Sequence, residues 1–159
     1  MNLLIKTNNI GCESGWTRFT VGGQVKSLKR IGDYELQEAK SRCAKCGASV
    51  PLPRNRNENE DYRVAFEELD STFVALGLND VATEGVWRDN NGNRVTYTNW
   101  DSGQPNNYDG NQDYVGMSTG LWGKWWDERA TITSSIVCEI ESSSRALFIS
   151  AFILVWVIA

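Results

Sequence analysis

The sequence contains no histidine. Histidine is the commonest general base of enzymes and the commonest side-chain ligand of transition metals. Its absence excludes catalysis by a Ser-His or Cys-His pair, and no other nucleophile–base pair is evident in the chain. We therefore expect no enzymatic activity.

Positive charge is missing from the middle of the chain, where no Lys or Arg occurs between Arg94 and Lys124. Gly, Asn, Asp and Pro dominate this segment and predict a long loop over residues 101–113. Most of its polar side chains end in a carboxylate or an amide, whose oxygens suit a hard cation such as calcium. The net charge of −4 also argues against a nucleic-acid partner.

Long apolar runs are also scarce, and the composition is that of one soluble globular domain with a core. We place this domain at residues 12–141. Residues 1–11 form an N-terminal extension that lacks the pattern of a signal peptide. Residues 142–159 form a Ser-rich linker and a short apolar tail, and we expect the domain to fold and stay soluble when residues 146–159 are deleted.

The apolar part of the tail, residues 146–159, is short for a membrane span. As a helix it would rise about 21 Å, whereas the hydrocarbon core of a bilayer is about 30 Å thick. A lipid-anchor signal, a truncated membrane span and an artefact of gene prediction are the alternatives for it. Membrane attachment through the tail therefore stays open.

The chain has four cysteines, at positions 12, 43, 46 and 138. Cys43 and Cys46 have the C-x-x-C spacing of redox motifs and of zinc sites. Few further zinc ligands lie nearby, and the βαβ context typical of redox proteins is not evident. Two structural disulfides in an extracellular domain, secreted or attached to the cell surface, fit these cysteines better.

Two helices are predicted in the first half of the chain. The first covers residues 33–43, with Asp33 as its cap and an apolar face formed by Leu36, Ala39 and Cys43. The second covers residues 58–69, and its apolar face comprises Tyr62, Ala65, Phe66 and Leu69.

Short strands are predicted in the second half, over residues 72–78, 95–97, 115–118 and 136–140. Asn91-Gly92 predicts a turn, because both residues tolerate a positive φ angle. Two helices followed by strands and a long loop predict an α+β fold.

Several short motifs follow one another in a fixed order between residues 12 and 141. They are Leu76-Gly77-Leu78-Asn79-Asp80, Glu84-Gly85-Val86-Trp87, Trp100 with Gly103-Gln104-Pro105-Asn106, Gln112-Asp113-Tyr114, Trp125-Trp126-Asp127 and Cys138-Glu139. This ordered set resembles the C-type lectin domain, and residues 47–59 resemble its collectin branch. The resemblance implies two helices packed on small antiparallel sheets, with a long loop that binds calcium and sugar.

The resemblance also implies how the cysteines pair. In the family, the cysteine of the first helix is joined to the cysteine of the final C-E motif. Cys43 is therefore predicted to pair with Cys138, which leaves Cys12 to pair with Cys46.

Two calcium (Ca2+) sites are implied by the same resemblance. The positions that match the sugar-binding site are Gln104, Asn106, Gln112, Trp126 and Asp127. Only Asp127 among them is charged, and the side chain of Trp126 supplies no oxygen, so calcium should bind there weakly. The positions that match the auxiliary site are Asp80, Glu84, Asn107 and Asp113. Three of these are carboxylates, so the auxiliary site is the stronger candidate.

The resemblance implies sugar recognition, but it combines features of galactose-type and mannose-type sites. Gln104 resembles the galactose-type triplet, whereas Asn106 resembles the mannose-type triplet, and Tyr108 can stack on a sugar ring. The predicted sugar-binding residues are Gln104, Asn106, Tyr108, Gln112 and Asp127. The resemblance thus implies a calcium-associated domain that binds glycans or glycoproteins. The alternative is a lectin-like domain that binds no sugar and recognises a protein, which Trp126 favours.

Overall fold

The computed structural model describes residues 12–141, which form one seven-stranded sheet and two α-helices. The strands are β1 (Thr17–Val21), β2 (Gln24–Glu35), β3 (Phe73–Asn79), β4 (Arg88–Asp89), β5 (Tyr114–Ser118), β6 (Lys124–Glu128) and β7 (Thr133–Glu141). The helices are α1 (Ala39–Lys45) and α2 (Arg56–Glu68), and single 3-10 turns cover Leu36–Glu38 and Tyr108–Gly110.

The sheet has the strand order β1-β2-β7-β3-β5-β6, and β4 pairs with β3. The α+β class predicted from the sequence is confirmed. The strands are joined in one sheet rather than in several small ones, and the sheet is mixed because β3 runs parallel to β7. The β1–β2 hairpin was not predicted. Its turn consists of Gly22 and Gly23, whose φ angles of 58° and 77° suit a two-residue hairpin loop.

The first helix begins later than predicted. Residues 33–35 belong to β2, where Asp33 pairs with Ser135 of β7, so Asp33 is not a helix cap. The turn before α1 is instead closed by a capping box between Glu35 and Glu38. Pairing with β7 satisfies more backbone groups than one helix cap would, which is why the strand extends through the predicted helix start. The predicted apolar face is buried as expected, with Leu36, Ala39 and Cys43 in one cluster.

The second helix matches its prediction closely. Asn55 caps it by accepting a hydrogen bond from the Glu58 amide at 3.0 Å. Its face of Tyr62, Ala65 and Phe66 is buried in the main core together with Val21, Leu28, Val74, Met117 and Trp125. The predicted strand over residues 95–97 is wrong. These residues form no ladder, although the Val95 amide donates to the Trp87 carbonyl oxygen at 3.0 Å.

Two disulfides crosslink the chain near α1, and one of them joins Cys43 and Cys138 within the cluster of Leu36 and Ala39. Cys43 is bonded to Cys138, as the resemblance implied, and Cys12 is bonded to Cys46, the pair predicted from the two cysteines that remained. Gly77 of β3 lies against residues 50–51, and a Cβ atom there would be 2.7 Å from the Val50 carbonyl oxygen. The glycine of the motif is therefore needed for close backbone approach.

Residues 1–11 and 142–159 lie outside the described residues, together with the predictions made for the N-terminal extension, the linker and the apolar tail. Within residues 12–141, none of the helices has the length and apolar character that crossing a membrane requires.

Candidate functional site

The predicted long loop, residues 101–113, runs beside β6 and is fastened to it at Asp127. Asp127 is buried, and each of its carboxylate oxygens accepts one backbone hydrogen bond. The amide of Asn106 donates at 3.0 Å, and the amide of Asn107 donates at 2.7 Å. The peptide bond between Gln104 and Pro105, just before this contact, is cis. A single carboxylate on a strand thus sets the path of the loop.

The amide side chains of the loop are largely engaged with the loop itself. The Gln112 side-chain oxygen accepts from the Tyr108 amide at 2.6 Å, and its nitrogen donates to Glu128 at 3.3 Å. The Asn107 side-chain oxygen accepts from the Gln112 amide at 3.1 Å. The Asn106 side-chain oxygen also accepts from the Tyr108 amide, at 2.9 Å. The structure therefore brings Asn106, Tyr108, Gln112 and Asp127 together.

A cation from outside the loop approaches its tip. Arg129, which follows β6, makes a salt bridge of 2.6 Å with Asp109 and donates a hydrogen bond of 3.1 Å to Asn111. Arg129 and Glu128 were not predicted as partners of the loop. No local signal marks them, because their proximity depends on where β6 lies in the sheet.

Three residues at or beside the predicted sugar site differ from the others in their contacts. The side-chain oxygen of Gln104 is buried and accepts no hydrogen bond from another described residue. Tyr108 is 66% exposed, so its ring is open to a ligand. Trp126 is partly buried, and its indole nitrogen has no acceptor among residues 12–141.

Of the residues predicted for the auxiliary calcium site, Asp80 lies at the end of β3. Asp80 is 2% exposed, and one of its oxygens accepts from the Gly85 amide at 2.8 Å. Its other oxygen is buried without a donor among the described residues. Burial, together with the nearby charges of Glu84 and Asp113, raises the pKa of Asp80 to about 6. Asp80, Glu84 and Asp113 are therefore close enough to interact, whereas the Asn107 side chain is directed to Gln112.

The fit to calcium differs between the two sets. Within residues 12–141, no three acidic or cysteine side chains are already gathered around one point as metal ligands. A buried acceptor without a donor is nevertheless costly, and a cation would satisfy it. The oxygen of Asp80, with two further carboxylates nearby, fits a calcium ion, and the ion would stabilise the ionised form of that carboxyl group. The sugar-site set fits less well, because both oxygens of its only carboxylate already accept hydrogen bonds.

Comparisons with known proteins place this geometry in a family. The family model described as "Lectin C-type domain" matches residues 33–140. Among solved structures, the carbohydrate-recognition domain of the mouse scavenger receptor C-type lectin is 25% identical, with a TM-score of 0.69, and the match covers 82% of this chain and 98% of that one.

Two further structures share the fold at lower identity. The C-type lectin CEL-I from Cucumaria echinata is 21% identical, with a TM-score of 0.69 and coverage of 81% of this chain and 96% of that one. A calcium-independent type II antifreeze protein is 18% identical, with a TM-score of 0.65 and coverage of 82% and 94%. Similar structures thus include a carbohydrate-recognition domain and a calcium-independent antifreeze protein, so the shared fold alone does not decide the ligand. The matched residues 33–140 make this chain a member of the C-type lectin domain family.

Proposed function

We propose that this domain is a non-catalytic, calcium-associated module that binds carbohydrate outside the cell, on glycans or glycoproteins. The observation that carries the proposal is the buried oxygen of Asp80, which has no hydrogen-bond donor among the described residues. Such an oxygen calls for a cation or a donor from outside the chain. Calcium bound by Asp80, Glu84 and Asp113 supplies it and supports the long loop, since the Asp80 amide donates to the Asp113 carbonyl oxygen at 3.2 Å.

The sugar surface in this proposal is the exposed side of the long loop. The Gln104 oxygen is the second buried acceptor without a donor, and a sugar hydroxyl group or a calcium ion can satisfy it. Tyr108 offers an exposed ring for stacking on the apolar face of a sugar. Asn106, Gln112 and Asp127 hold the loop in the shape that presents these two side chains.

A second candidate function is recognition of a protein without sugar or calcium at the loop. Both Asp127 oxygens are engaged with backbone amides, and the salt bridge between Arg129 and Asp109 holds the loop tip without a metal ion. These contacts favour a loop whose conformation needs no calcium at the sugar site.

Thermal melting at increasing calcium concentrations tests the proposed calcium site. Binding to the native state stabilises it by about 2.7 kcal/mol when free calcium exceeds its dissociation constant a hundredfold. The melting temperature should therefore rise with calcium, and Asp80→Asn should reduce this rise more than Gln104→Ala does. A melting temperature that is indifferent to calcium would contradict the proposed auxiliary site.

A glycan array tests the sugar surface separately. Gln104→Ala should weaken sugar binding more than Asp80→Asn does, because Gln104 is proposed to contact the ligand. Gln104→Glu should add ligand charge, strengthen calcium at the weaker site and shift preference towards mannose-type sugars. An array without signal, in saturating calcium, would favour the protein-recognition candidate instead.

A further inference from the structure

A second concave surface lies away from the long loop. It is a groove of about 650 Å³ between the first turn of α2, the segment before Trp100 and the turn that leads into β6. We call it the tryptophan groove, because Trp122 lines it and is 82% exposed. Its volume lies within the range of about 300–1,000 Å³ that is usual for small-ligand sites. None of the residues assigned to calcium or sugar by the resemblance lines it.

The exposed indole of Trp122 is held in an unusual backbone conformation. Its φ angle is 59°, which is uncommon for any residue other than glycine and especially for a bulky one. The next residue, Gly123, also has a positive φ, and its carbonyl oxygen accepts from Asn59 at 3.1 Å and from Asn99 at 2.8 Å. These hydrogen bonds hold the turn in place. A strained backbone conformation persists only where the surrounding structure holds it in this way. An apolar ring is thus presented to solvent by a fixed scaffold.

Two cations flank the aromatic side chains of the groove. Arg56 is exposed and makes no hydrogen bond or salt bridge with another of residues 12–141. Lys124 points its amine at Asn99, at 3.2 Å, which is a neutral partner. Tyr97 lines the same groove and rests edge-on against Trp125, with ring centroids 5.7 Å apart. In a chain of net charge −4, two cations that face one groove and form no salt bridge among residues 12–141 make the groove locally positive.

Glu60 is the carboxylate among the described residues that line the groove, and it is held by Arg63. Glu60 accepts hydrogen bonds from Arg63 at both oxygens, at 2.5 and 2.9 Å. The hydrogen bond from Arg63 and the nearby charges of Arg63 and Arg56 lower the pKa of Glu60, and Arg63 also makes a salt bridge of 2.6 Å with Glu67. Because both Glu60 oxygens are bonded to Arg63, Glu60 forms no salt bridge with Arg56 or Lys124 among the described residues, and both cations can still pair with a ligand.

We propose that the tryptophan groove binds an acidic saccharide, whose ring stacks on Trp122 and whose carboxylate or sulfate group pairs with Arg56 and Lys124. The indole supplies an apolar platform for the C–H face of a sugar ring. The guanidinium and ammonium groups supply donors that suit an oxyanion. This site needs no calcium, so it goes beyond the function proposed for the long loop and is independent of it.

Titration of the chain in EDTA with three oligosaccharides tests this inference. The probes are a tetramer of galacturonic acid, a sulfated galactose tetramer and a neutral galactose tetramer, followed by calorimetry and by tryptophan fluorescence. At least one acidic tetramer should bind, more weakly at high salt, and the neutral tetramer should bind at least tenfold more weakly. Binding of the uronic acid alone, or of the sulfated sugar alone, identifies which anion the groove takes.

Matched variants separate the ring from the charges. Trp122→Gly removes the ring at a φ angle that glycine adopts freely and should weaken binding about tenfold, whereas Trp122→Phe should retain most of it. Arg56→Gln and Lys124→Gln should each weaken binding about two- to fivefold. Leu121→Ala, beside the ring, and Lys45→Gln, on α1 outside the groove, should leave it unchanged.

Three results would overturn the inference. They are the absence of binding by either acidic tetramer, equal binding of the neutral tetramer, and affinity that survives both Trp122→Gly and Lys124→Gln. Because calcium is removed throughout, failure here leaves the proposal for the long loop untouched. Failure of the calcium titration likewise leaves the groove untouched.

Discussion

At the scale of single residues, Asp80 is the most informative side chain of the domain. It is a carboxylate buried at the end of β3, with one oxygen bonded to the Gly85 amide and the other oxygen without a donor in the described part of the chain. Burial and the charges of Glu84 and Asp113 all disfavour its ionised form. Burial and the nearby carboxylates destabilise the ionised form of Asp80 when no ion is bound. The same carboxylates can bind a calcium ion together with Asp80.

This environment predicts a pH dependence of stability in calcium-free buffer. The pKa of Asp80 is raised from its ordinary value of 3.8 to about 6 in the folded chain, so the folded state binds more protons than the unfolded state between these values. The contribution of Asp80 to the free energy of unfolding should therefore decrease as pH rises from about 4 to 6, and stay constant above that. Asp80→Asn, which keeps an acceptor for the Gly85 amide, should remove this decrease. Urea unfolding between pH 4 and 7 measures it.

The matched control for this prediction is Asp70→Asn. Asp70 is exposed and has a φ angle of 53°, a conformation that asparagine tolerates, so its replacement should leave the pH profile unchanged. A wild-type profile with the same slope as that of Asp80→Asn would contradict the raised pKa. Added calcium at pH 7 should reverse the loss in the wild type, because the ion binds the charged form.

At the scale of secondary-structure elements, a buried polar triad joins three of them. Lys26 of β2 donates to Glu139 of β7 at 3.2 Å and to the Tyr62 hydroxyl group of α2 at 2.7 Å. Tyr62 also donates a short hydrogen bond to Glu139. All three side chains are buried. Burial raises the pKa of Tyr62 above its usual range, and the contact with Glu139 raises it further. The triad ties the second helix to the central strands.

Breaking this triad on one side should destabilise the domain strongly. Lys26→Met leaves the Glu139 carboxylate buried without its cation and should lower the free energy of unfolding by about 3–5 kcal/mol. Tyr62→Phe removes a neutral donor and should cost about 1–3 kcal/mol. Urea unfolding at pH 7 measures both changes.

A double variant provides the control for the triad. Lys26→Met combined with Glu139→Leu removes both charges, so it should recover much of the stability that Lys26→Met alone loses. Additive losses in the double variant would show that the two side chains act separately. A loss below about 0.5 kcal/mol for Lys26→Met would mean that Glu139 is satisfied without it, since changes of that size are typical of surface positions.

At the scale of the whole molecule, two disulfides of very different span constrain the chain. The bond between Cys43 and Cys138 links residues 95 positions apart, and the bond between Cys12 and Cys46 links residues 34 positions apart. Cys43 and Cys138 are also fully buried in the cluster beneath α1. The longer bond therefore restricts more of the unfolded chain and packs into the core.

Removing each pair should destabilise the domain unequally. In the chain-entropy description, the longer loop contributes about 4–5 kcal/mol and the shorter one somewhat less. Cys43→Ala with Cys138→Ala should therefore lower the urea midpoint more than Cys12→Ser with Cys46→Ser, which also spares the core. The reverse order would show that the N-terminal segment contributes more to stability than the central disulfide does.

Much of this architecture was predictable from local sequence signals. The apolar face of α2 follows from the spacing of Tyr62, Ala65 and Phe66, because helical periodicity is a property of neighbouring residues. The order of the motifs, together with the resemblance that they carry, predicted the family and the way in which the cysteines pair.

Tertiary structure alone decided the contacts that distinguish this domain. Asp33 lies in a strand rather than at a helix start because β7 supplies its pairing partners from about a hundred residues away. Likewise, Arg129 forms a salt bridge with Asp109 because the sheet places β6 beside the long loop. Trp122 and Arg56 line the same groove because β6 also lies beside α2. Spacing along the chain determines which faces are apolar, whereas strand register and the partners of each polar group depend on segments that meet only in the folded sheet.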